Sequence, residues 1–120
     1  MKNKTFFDSV KCAFNGLFHA FKTEKNYRRY LIIVSLFLIA DIIVQVHYLA
    51  YIFEIISFFG ACSTESLNTA IERLVDMEHK EIREEIRIIK DVAASAVLIW
   101  GFLFFGSGLF FLIMGVISWF

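Results

Sequence analysis

Apolar and polar residues alternate with a helical period at the start of the chain. Within the first 29 residues, apolar side chains recur at steps of three and four, which is the spacing of one helix face. They are Phe6, Phe7, Val10, Ala13, Phe14, Leu17, Phe18 and Phe21. Lys4, Lys11 and Lys22 lie off this face. We therefore expect residues 1–29 to form an amphipathic interfacial helix, with its lysines near anionic lipid head groups.

Three long apolar stretches follow this segment. They cover about residues 30–46, 48–75 and 92–118. The run from Val92 to Phe120 contains no charged residue, and it exceeds the ~20 residues that a helix needs to cross hydrocarbon. A buried helix of a soluble protein is the alternative for each stretch, but three stretches in a chain without proline favour the membrane. We expect an all-α integral membrane protein with an interfacial helix and three transmembrane helices, in one domain over residues 1–120.

Composition and the placement of charge support this arrangement. The chain is 58% hydrophobic, which a soluble domain of 120 residues would bury with difficulty because small domains have much surface for their volume. All 12 Lys and Arg residues lie before residue 30 or between residues 73 and 90. Since positive residues in short loops tend to stay in the cytoplasm, the N-terminal segment and a loop at residues 76–91 are expected inside. The net charge of zero gives no indication of a nucleic-acid partner, and we expect none.

Small residues in the last stretch predict close helix packing. Ala94, Gly101, Gly108 and Gly115 are seven residues apart, so they form one stripe along a helix. Small side chains let helix backbones approach each other closely in lipid. We expect this stripe to serve packing and to take no part in chemistry.

The second apolar stretch carries a stripe of polar residues. Glu65, Asn68, Glu72 and Asp76 are three, four and four residues apart, which places them within an arc of about 80° along about 16 Å of helix. Ionisable groups within a span are costly and usually face the bundle interior. Carboxylates with no Lys or Arg on their face need a cation, and Mg²⁺ commonly binds through one or two carboxylates plus substrate phosphates. A network that only sets helix register, or a path for ions or protons, is the alternative.

Lys90 and Asp91 stand at the start of the last span. A lysine at this level can contact phosphate oxygens as a compact charge. The sequence contains no Gly-rich phosphate loop, no dinucleotide fingerprint and no Ser/His/Asp arrangement. Any chemistry therefore rests on carboxylates, one lysine and a metal ion. Phosphoryl transfer can work with that set, because positioning and charge neutralisation do most of it.

These residues resemble the signature of a known family. The run Glu65-Ser-Leu-Asn68-Thr-Ala-Ile-Glu72-Arg-Leu-Val-Asp76 and the later run Lys90-Asp91-Val-Ala-Ala-Ser-Ala-Val-Leu-Ile are similar to those of the prokaryotic diacylglycerol kinases. That family also includes the undecaprenol kinases. The segment Ser9–Arg28 looks like the matching surface helix, particularly in the undecaprenol-kinase branch.

The resemblance implies a homotrimer of three-span protomers in the cell inner membrane, with composite active sites at the cytoplasmic face. It implies Mg²⁺ as cofactor, ATP as co-substrate and a membrane lipid alcohol as acceptor. Carried over by motif, Glu65 is the catalytic base that takes the proton of the lipid hydroxyl, and Glu24 and Glu72 hold Mg²⁺ and thereby ATP. The residues expected to support nucleotide and phosphates are Asn68, Asp76, Lys90 and Asp91, and Ala94 is expected near the lipid substrate.

Two positions depart from the family pattern, and the choice of acceptor depends on one of them. Cys12 stands where relatives often have Tyr near the nucleotide. Ala94 replaces a Ser of the diacylglycerol-specific branch, which favours undecaprenol as substrate and keeps diacylglycerol as the alternative. An alternative of another class is a small proton- or ion-coupled transporter, since Glu54 lies eleven residues before Glu65 on nearly the same face. A non-catalytic membrane scaffold leaves the polar stripe unexplained.

Overall fold

A computed structural model of the chain describes residues 5–81 and 83–119. Within these ranges the chain forms four α-helices and no β-strand. The helices are α1 (Phe6–Thr23), α2 (Lys25–Val44), α3 (Tyr48–Glu78) and α4 (Glu84–Ile117). The all-helical prediction is therefore confirmed for the described part of the chain.

The first helix has the amphipathic character that the sequence predicts. The hydroxyl of Thr5 accepts a hydrogen bond from the backbone N–H of Asp8 at 3.1 Å, which caps the helix at its start. No residue of α1 is buried, and large apolar side chains such as Phe6, Phe14 and Phe18 are exposed. Such a face is normally covered by lipid or by another protein. Contact with a membrane surface stays a prediction.

The break between α1 and α2 lies at Glu24, earlier than the sequence suggested. Glu24 has an extended backbone, with φ −101° and ψ 117°. Residues 25–29 therefore belong to α2 and not to an interfacial helix ending at residue 29, and the start of the expected helix, residues 1–4, lies outside the described residues. Arg28 stabilises the corner because its Nη1 donates to the carbonyl oxygens of Phe21 and Lys22, at 3.0 and 2.9 Å.

The turn between α2 and α3 is short, so the two helices are antiparallel neighbours. Gln45 ends α2 in the left-handed conformation, with φ 61°. The ring of His47 then accepts a hydrogen bond from the backbone N–H of Leu49 at 3.2 Å and caps α3. A short turn thus separates the two helices at the boundary expected between the apolar stretches 30–46 and 48–75.

The connection between α3 and α4 is shorter than the expected loop of residues 76–91. The third helix continues to Glu78 and the fourth begins at Glu84, so much of this charged segment is helical. Two acidic residues in the first turn of α4 favour its N-terminus. Arg87 also pairs with Glu84 one turn before it and with Asp91 one turn after it.

Helices α2, α3 and α4 pack together around Phe104. This residue of α4 is fully buried, and its ring lies 5.7 Å from that of Phe37 on α2 and 6.5 Å from that of Phe58 on α3, centroid to centroid. The hydroxyl of Tyr27 on α2 donates to the carbonyl oxygen of Cys62 on α3 at 2.8 Å. The molecule is a slab with extents of 58 × 41 × 19 Å.

Glycines allow the closest helix contacts. A Cβ atom at Gly108 would lie 2.8 Å from the ring of Phe37, and one at Gly115 would lie 2.6 Å from a methyl group of Val44. Half of the predicted small-residue stripe therefore packs against α2. A Cβ atom at Gly101 would have no neighbour within 4 Å beyond its own helix backbone, so this part of the stripe does not pack against another helix.

One helix within the described ranges, α4, is long and apolar enough to cross a membrane, with a mean hydropathy of 2.3 in its most apolar window. Only 11% of that window is buried by the rest of the chain, so most of its apolar surface faces outward. The other two expected spans, α2 and α3, contain acidic residues that lower their hydropathy: Asp41, Glu54, Glu65 and Glu72. That all three cross the bilayer stays a prediction.

We expect Gly60→Ala to destabilise the fold by about 1–3 kcal/mol, because overpacked cores must shift. A Cβ at this position of α3 would overlap the Trp100 ring of α4. The measurement is unfolding by SDS in mixed micelles, followed by circular dichroism. Gly106→Ala is the matched control, since no atom lies within 4 Å of its Cβ position. Equal effects of the two substitutions would contradict the close α3–α4 contact, and Trp100→Phe should partly restore the Gly60→Ala variant.

Candidate active site

Glu65 lies in the middle of α3 and faces α2. Glu65 is only 3% exposed. The side-chain Nδ2 of Asn26, in the first turn of α2, donates a hydrogen bond to Oε1 of Glu65 at 3.1 Å. One carboxylate oxygen is thereby held by a neutral donor, which leaves the other available to a substrate.

A cavity of about 510 Å³ opens beside Glu65, between α2, α3 and α4. Its polar lining comes from Asn26, Tyr30, Glu65 and Asn68. The rest of the lining is largely apolar and comes from α4, including Ala94 and Gly101, two members of the small-residue stripe. Because these positions carry little or no side chain, they leave open the space that faces the carboxylate. The stripe thus has two roles, packing at one end and cavity lining at the other.

Asn68 and Glu72 continue the polar stripe one turn further along α3. Nδ2 of Asn68 donates to Oε1 of Glu72 at 3.2 Å. The buried Oδ1 of Asn68 has no hydrogen-bond partner in residues 5–81 and 83–119. A buried carbonyl oxygen without a donor is uncommon, and such a group often marks a place for a ligand, an ion or a water molecule.

The expected metal ligands lie close to the expected base. Glu24 and Glu72 are both near enough to act electrostatically on Glu65. Glu24 also accepts a hydrogen bond from Arg73 of α3, with 2.9 Å between Nη2 and Oε1. Glu24, Glu65 and Glu72 therefore lie in the same region of the molecule.

Asp76, Lys90 and Asp91 lie at the end of α3 and the start of α4, beyond Glu72. Lys90 forms an ion pair with Asp76, and Asp91 pairs with Arg87 at 3.0 Å. All three of the predicted residues are thus paired within the chain.

A second cavity, of about 410 Å³, lies beside Lys90 and Asp76. Its further charged lining is mostly basic: Lys80, Arg83 and Arg87, with His79 and Glu81. A hydrogen bond with its own backbone, together with Arg83 and His79, lowers the pKa of Glu81. This acid is therefore ionised and offsets only part of the positive charge. A basic cavity of this kind suits an anionic group such as a phosphate.

The carboxylates fit a magnesium ion that is bound together with a nucleotide. Glu24 and Glu72 supply hard oxygen donors, which is the donor type that Mg²⁺ prefers. Throughout the described ranges, no group of three or more His, Cys, Asp and Glu side chains is placed to hold a metal ion. Mg²⁺ commonly needs only one or two carboxylates when phosphate oxygens complete its coordination.

Two residues of the site escaped the sequence analysis, Asn26 and Arg73. Asn26 belongs to no recognised pattern, and only the packing of α2 on α3 brings it to Glu65. Arg73 follows Glu72 directly, but a step of about 100° turns it away from the polar stripe. Arg73 is the one basic residue of α3, and this isolated charge was the signal in the sequence that could have marked it as a site residue.

A helical membrane chain with a buried carboxylate at an apolar cavity, and with acidic and basic groups at one end, has the parts of a phosphotransferase for lipids. Comparison with known sequences identifies the class. The profile of the prokaryotic diacylglycerol kinase family matches residues 11–112. The chain therefore belongs to this family of membrane-bound lipid kinases, as its sequence motifs suggested.

A curated relative covers most of the chain. An undecaprenol kinase of Bacillus subtilis (strain 168) is 30% identical over 95 residues, which are 79% of this chain and 77% of the relative. No solved structure matches the chain.

A further pair of acids lies away from the site. Asp41 of α2 and Glu54 of α3 are completely buried. Their carboxyl groups are close enough to interact, and no other donor of residues 5–81 and 83–119 reaches their oxygens. A carboxyl group that carries a proton can donate to its neighbour, which gives both groups a partner. We therefore expect one of the two carboxyl groups to carry a proton, so that the pair forms a hydrogen bond between α2 and α3.

We expect Glu54→Gln to leave the free energy of unfolding within about 1 kcal/mol of the native value, because an amide can still donate to Asp41. Glu54→Ala should cost roughly 2–4 kcal/mol, since it opens a void and leaves Asp41 without a partner. Unfolding by SDS in mixed micelles measures both variants. A large loss in Glu54→Gln would contradict the shared hydrogen bond and would indicate that both carboxylates hold a cation.

Proposed function

We propose that the chain transfers the γ-phosphate of ATP to the hydroxyl group of undecaprenol and so forms undecaprenyl phosphate. The observation that carries this proposal is the position of Glu65, a buried carboxylate beside a largely apolar cavity of about 510 Å³. A lipid alcohol has one polar end and a long apolar chain, and this cavity offers both surroundings. Membership of a family of lipid kinases supports the same reaction.

In this proposal Glu65 is the catalytic base. The lipid hydroxyl donates its proton to the carboxylate oxygen that Asn26 does not hold, while the hydroxyl oxygen bonds to the γ-phosphorus. The bond between the γ-phosphorus and the β–γ bridging oxygen breaks, and ADP leaves. Asn26 orients the carboxylate, and the apolar side chains of α4 exclude water from the acceptor.

Glu24 and Glu72 are proposed to hold Mg²⁺ together with the phosphates of ATP. When bound, the ion neutralises the charge of the transferred group. Asn68 stands between this region and Glu65, and its buried carbonyl oxygen can accept a hydrogen bond from the substrate. Asp76 and Lys90 line the basic cavity, and Asp91 pairs with Arg87 of the same lining. All three are proposed to contact nucleotide and phosphates.

The choice of undecaprenol over diacylglycerol is supported by two observations. Ala94 lines the cavity beside Glu65, and it lacks the hydroxyl that the diacylglycerol-specific branch has at this position. The curated relative is an undecaprenol kinase. Diacylglycerol is the second candidate, because the family as a whole carries its name.

The remaining parts of the proposal concern assembly and location. We propose a homotrimer in the cell inner membrane, with three spans per protomer and the site on the cytoplasmic face. The outward-facing apolar side chains of α2, α3 and α4 are compatible with contacts to lipid and to other protomers. The Lys and Arg residues lie before residue 30 and between residues 73 and 90, and this placement supports the cytoplasmic orientation of the site.

We expect phosphate transfer from radiolabelled ATP to undecaprenol in mixed micelles with Mg²⁺, with kcat/KM at least about tenfold above that for diacylglycerol. The reason is the apolar cavity wall at Ala94. The reverse preference would favour the second candidate. Folded protein that labels neither lipid would contradict the lipid-kinase proposal, and proton or ion flux in proteoliposomes would then support the transporter alternative.

Glu65→Gln and Glu72→Gln should separate proton transfer from nucleotide binding. The two residues are about 10 Å apart along α3, too far to share one metal ion directly. We expect Glu65→Gln to keep its affinity for Mg-ATP but to lose turnover by 10²-fold or more, as roughly expected for loss of a general base. Glu72→Gln should weaken Mg-ATP binding about tenfold or more. Calorimetric titration with Mg-ATP measures the nucleotide affinity of both variants, and phosphate transfer from radiolabelled ATP measures their turnover. Loss of nucleotide binding in Glu65→Gln alone would reverse the assignment.

A further inference from the structure

Arg73 connects the end of α1 to α3 at the carboxylate of Glu24. Its Nη2 donates to Oε1 of Glu24 at 2.9 Å and to the hydroxyl oxygen of Thr23 at 3.0 Å. Its Nη1 lies 3.0 Å from Nε2 of His19. One guanidinium therefore contacts three polar side chains at the end of α1.

The hydrogen bonds of this cluster have defined directions. Thr23 donates its hydroxyl proton to the carbonyl oxygen of His19 at 2.8 Å, so its oxygen accepts from Arg73. The Nη2 atom of Arg73 has two N–H groups, and both are used. Oε1 of Glu24 thus has a fixed donor, and Arg73 donates no hydrogen bond to Oε2. The cluster orients the carboxylate and leaves one oxygen open.

The first and third helices are otherwise separated at this level. Two cavities lie between them, of about 510 and 520 Å³, and Arg73 lines the second. Glu24 itself belongs to no helix, because its extended backbone joins α1 to α2. A residue at such a corner is poorly fixed by its own backbone, so a planar guanidinium with several bonds is an effective way to hold it.

We propose that Arg73 is a positioning residue of the metal site, which holds Oε1 of Glu24 so that Oε2 can bind Mg²⁺. This inference rests on the proposed function, in which Glu24 and Glu72 hold the metal with ATP. Carboxylates that bind metals are commonly hydrogen-bonded in turn, and loss of such a partner lowers metal affinity about 10- to 100-fold. Arg73 acts through Glu24 and does not contact the reacting atoms.

The test compares Arg73→Ala, Arg73→Lys and Lys22→Ala. Lys22 is the matched control, because it removes one positive charge from the last turn of α1 and spares the partner of Glu24. Calorimetry measures the affinity for a non-hydrolysable ATP analogue with Mg²⁺, and again with EDTA in place of the metal. Electron paramagnetic resonance of Mn²⁺ with the analogue reports metal binding without turnover.

We expect Arg73→Ala to bind the Mg²⁺ complex about 10- to 100-fold more weakly than the native protein, with unchanged affinity for the metal-free analogue. Arg73→Lys should lie between them, since a lysine can hold Oε1 of Glu24 but lacks the planar group that also contacts Thr23 and His19. Lys22→Ala should bind as the native protein does. Circular dichroism establishes that each variant is folded. If Arg73→Ala does not fold, the test is the affinity of Arg73→Lys for the Mg²⁺ complex, which should be lower than that of the native protein.

Three results would overturn the inference. Unchanged affinity for the Mg²⁺ complex in Arg73→Ala would leave the ion pair with a structural role only. Equal losses with and without metal would mean that the guanidinium binds the phosphates directly. Equal losses in Arg73→Ala and Lys22→Ala would point to general charge. Native protein that binds the Mg²⁺ complex but phosphorylates no lipid would contradict the proposed function instead, so the two failures are distinguishable.

Discussion

The burial of carboxyl groups among apolar helices is the constraint that organises this molecule. A carboxylate removed from water is costly unless it has a partner. Along α3, Glu54 lies beside Asp41, Glu65 accepts from Asn26, and Glu72 accepts from Asn68. The partners of Glu54 and Glu65 lie on α2, so these contacts fix the rotation of α3 about its own axis. The apolar sides of the bundle then face outward, where lipid can cover them.

Much of the fold follows from local patterns. The period of three and four predicted α1, and the long run without charge predicted α4. The break at Glu24 was not predictable, because neither Gly nor Pro marks the corner and the polar run of residues 22–26 suits an exposed helix face as well as a turn. The start of α4 was also hidden, since charged residues suit a solvated helix as well as a loop. Arg87 resolves this choice through its two pairs within the helix.

The candidate site was predictable where it depends on one helix and unpredictable where helices meet. Glu65, Asn68 and Glu72 share a helix, so their spacing alone brings them together. Asn26 and Arg73 enter through the crossing of α2 and the end of α1, which depend on packing across the whole molecule. The glycine stripe illustrates the same limit, because equal spacing does not distinguish Gly108, which packs on Phe37, from Gly101, which lines the cavity.

The thinness of the slab has a consequence for how a lipid would be recognised. With a smallest extent of 19 Å, the bundle is about two helices thick, and each of its cavities lies close to an outer surface. An acceptor could then present its hydroxyl to Glu65 while most of its hydrocarbon stayed among the surrounding lipids. Recognition of this kind depends on contacts with the hydroxyl end of the lipid and its first few carbons, and it does not depend on the length of the tail.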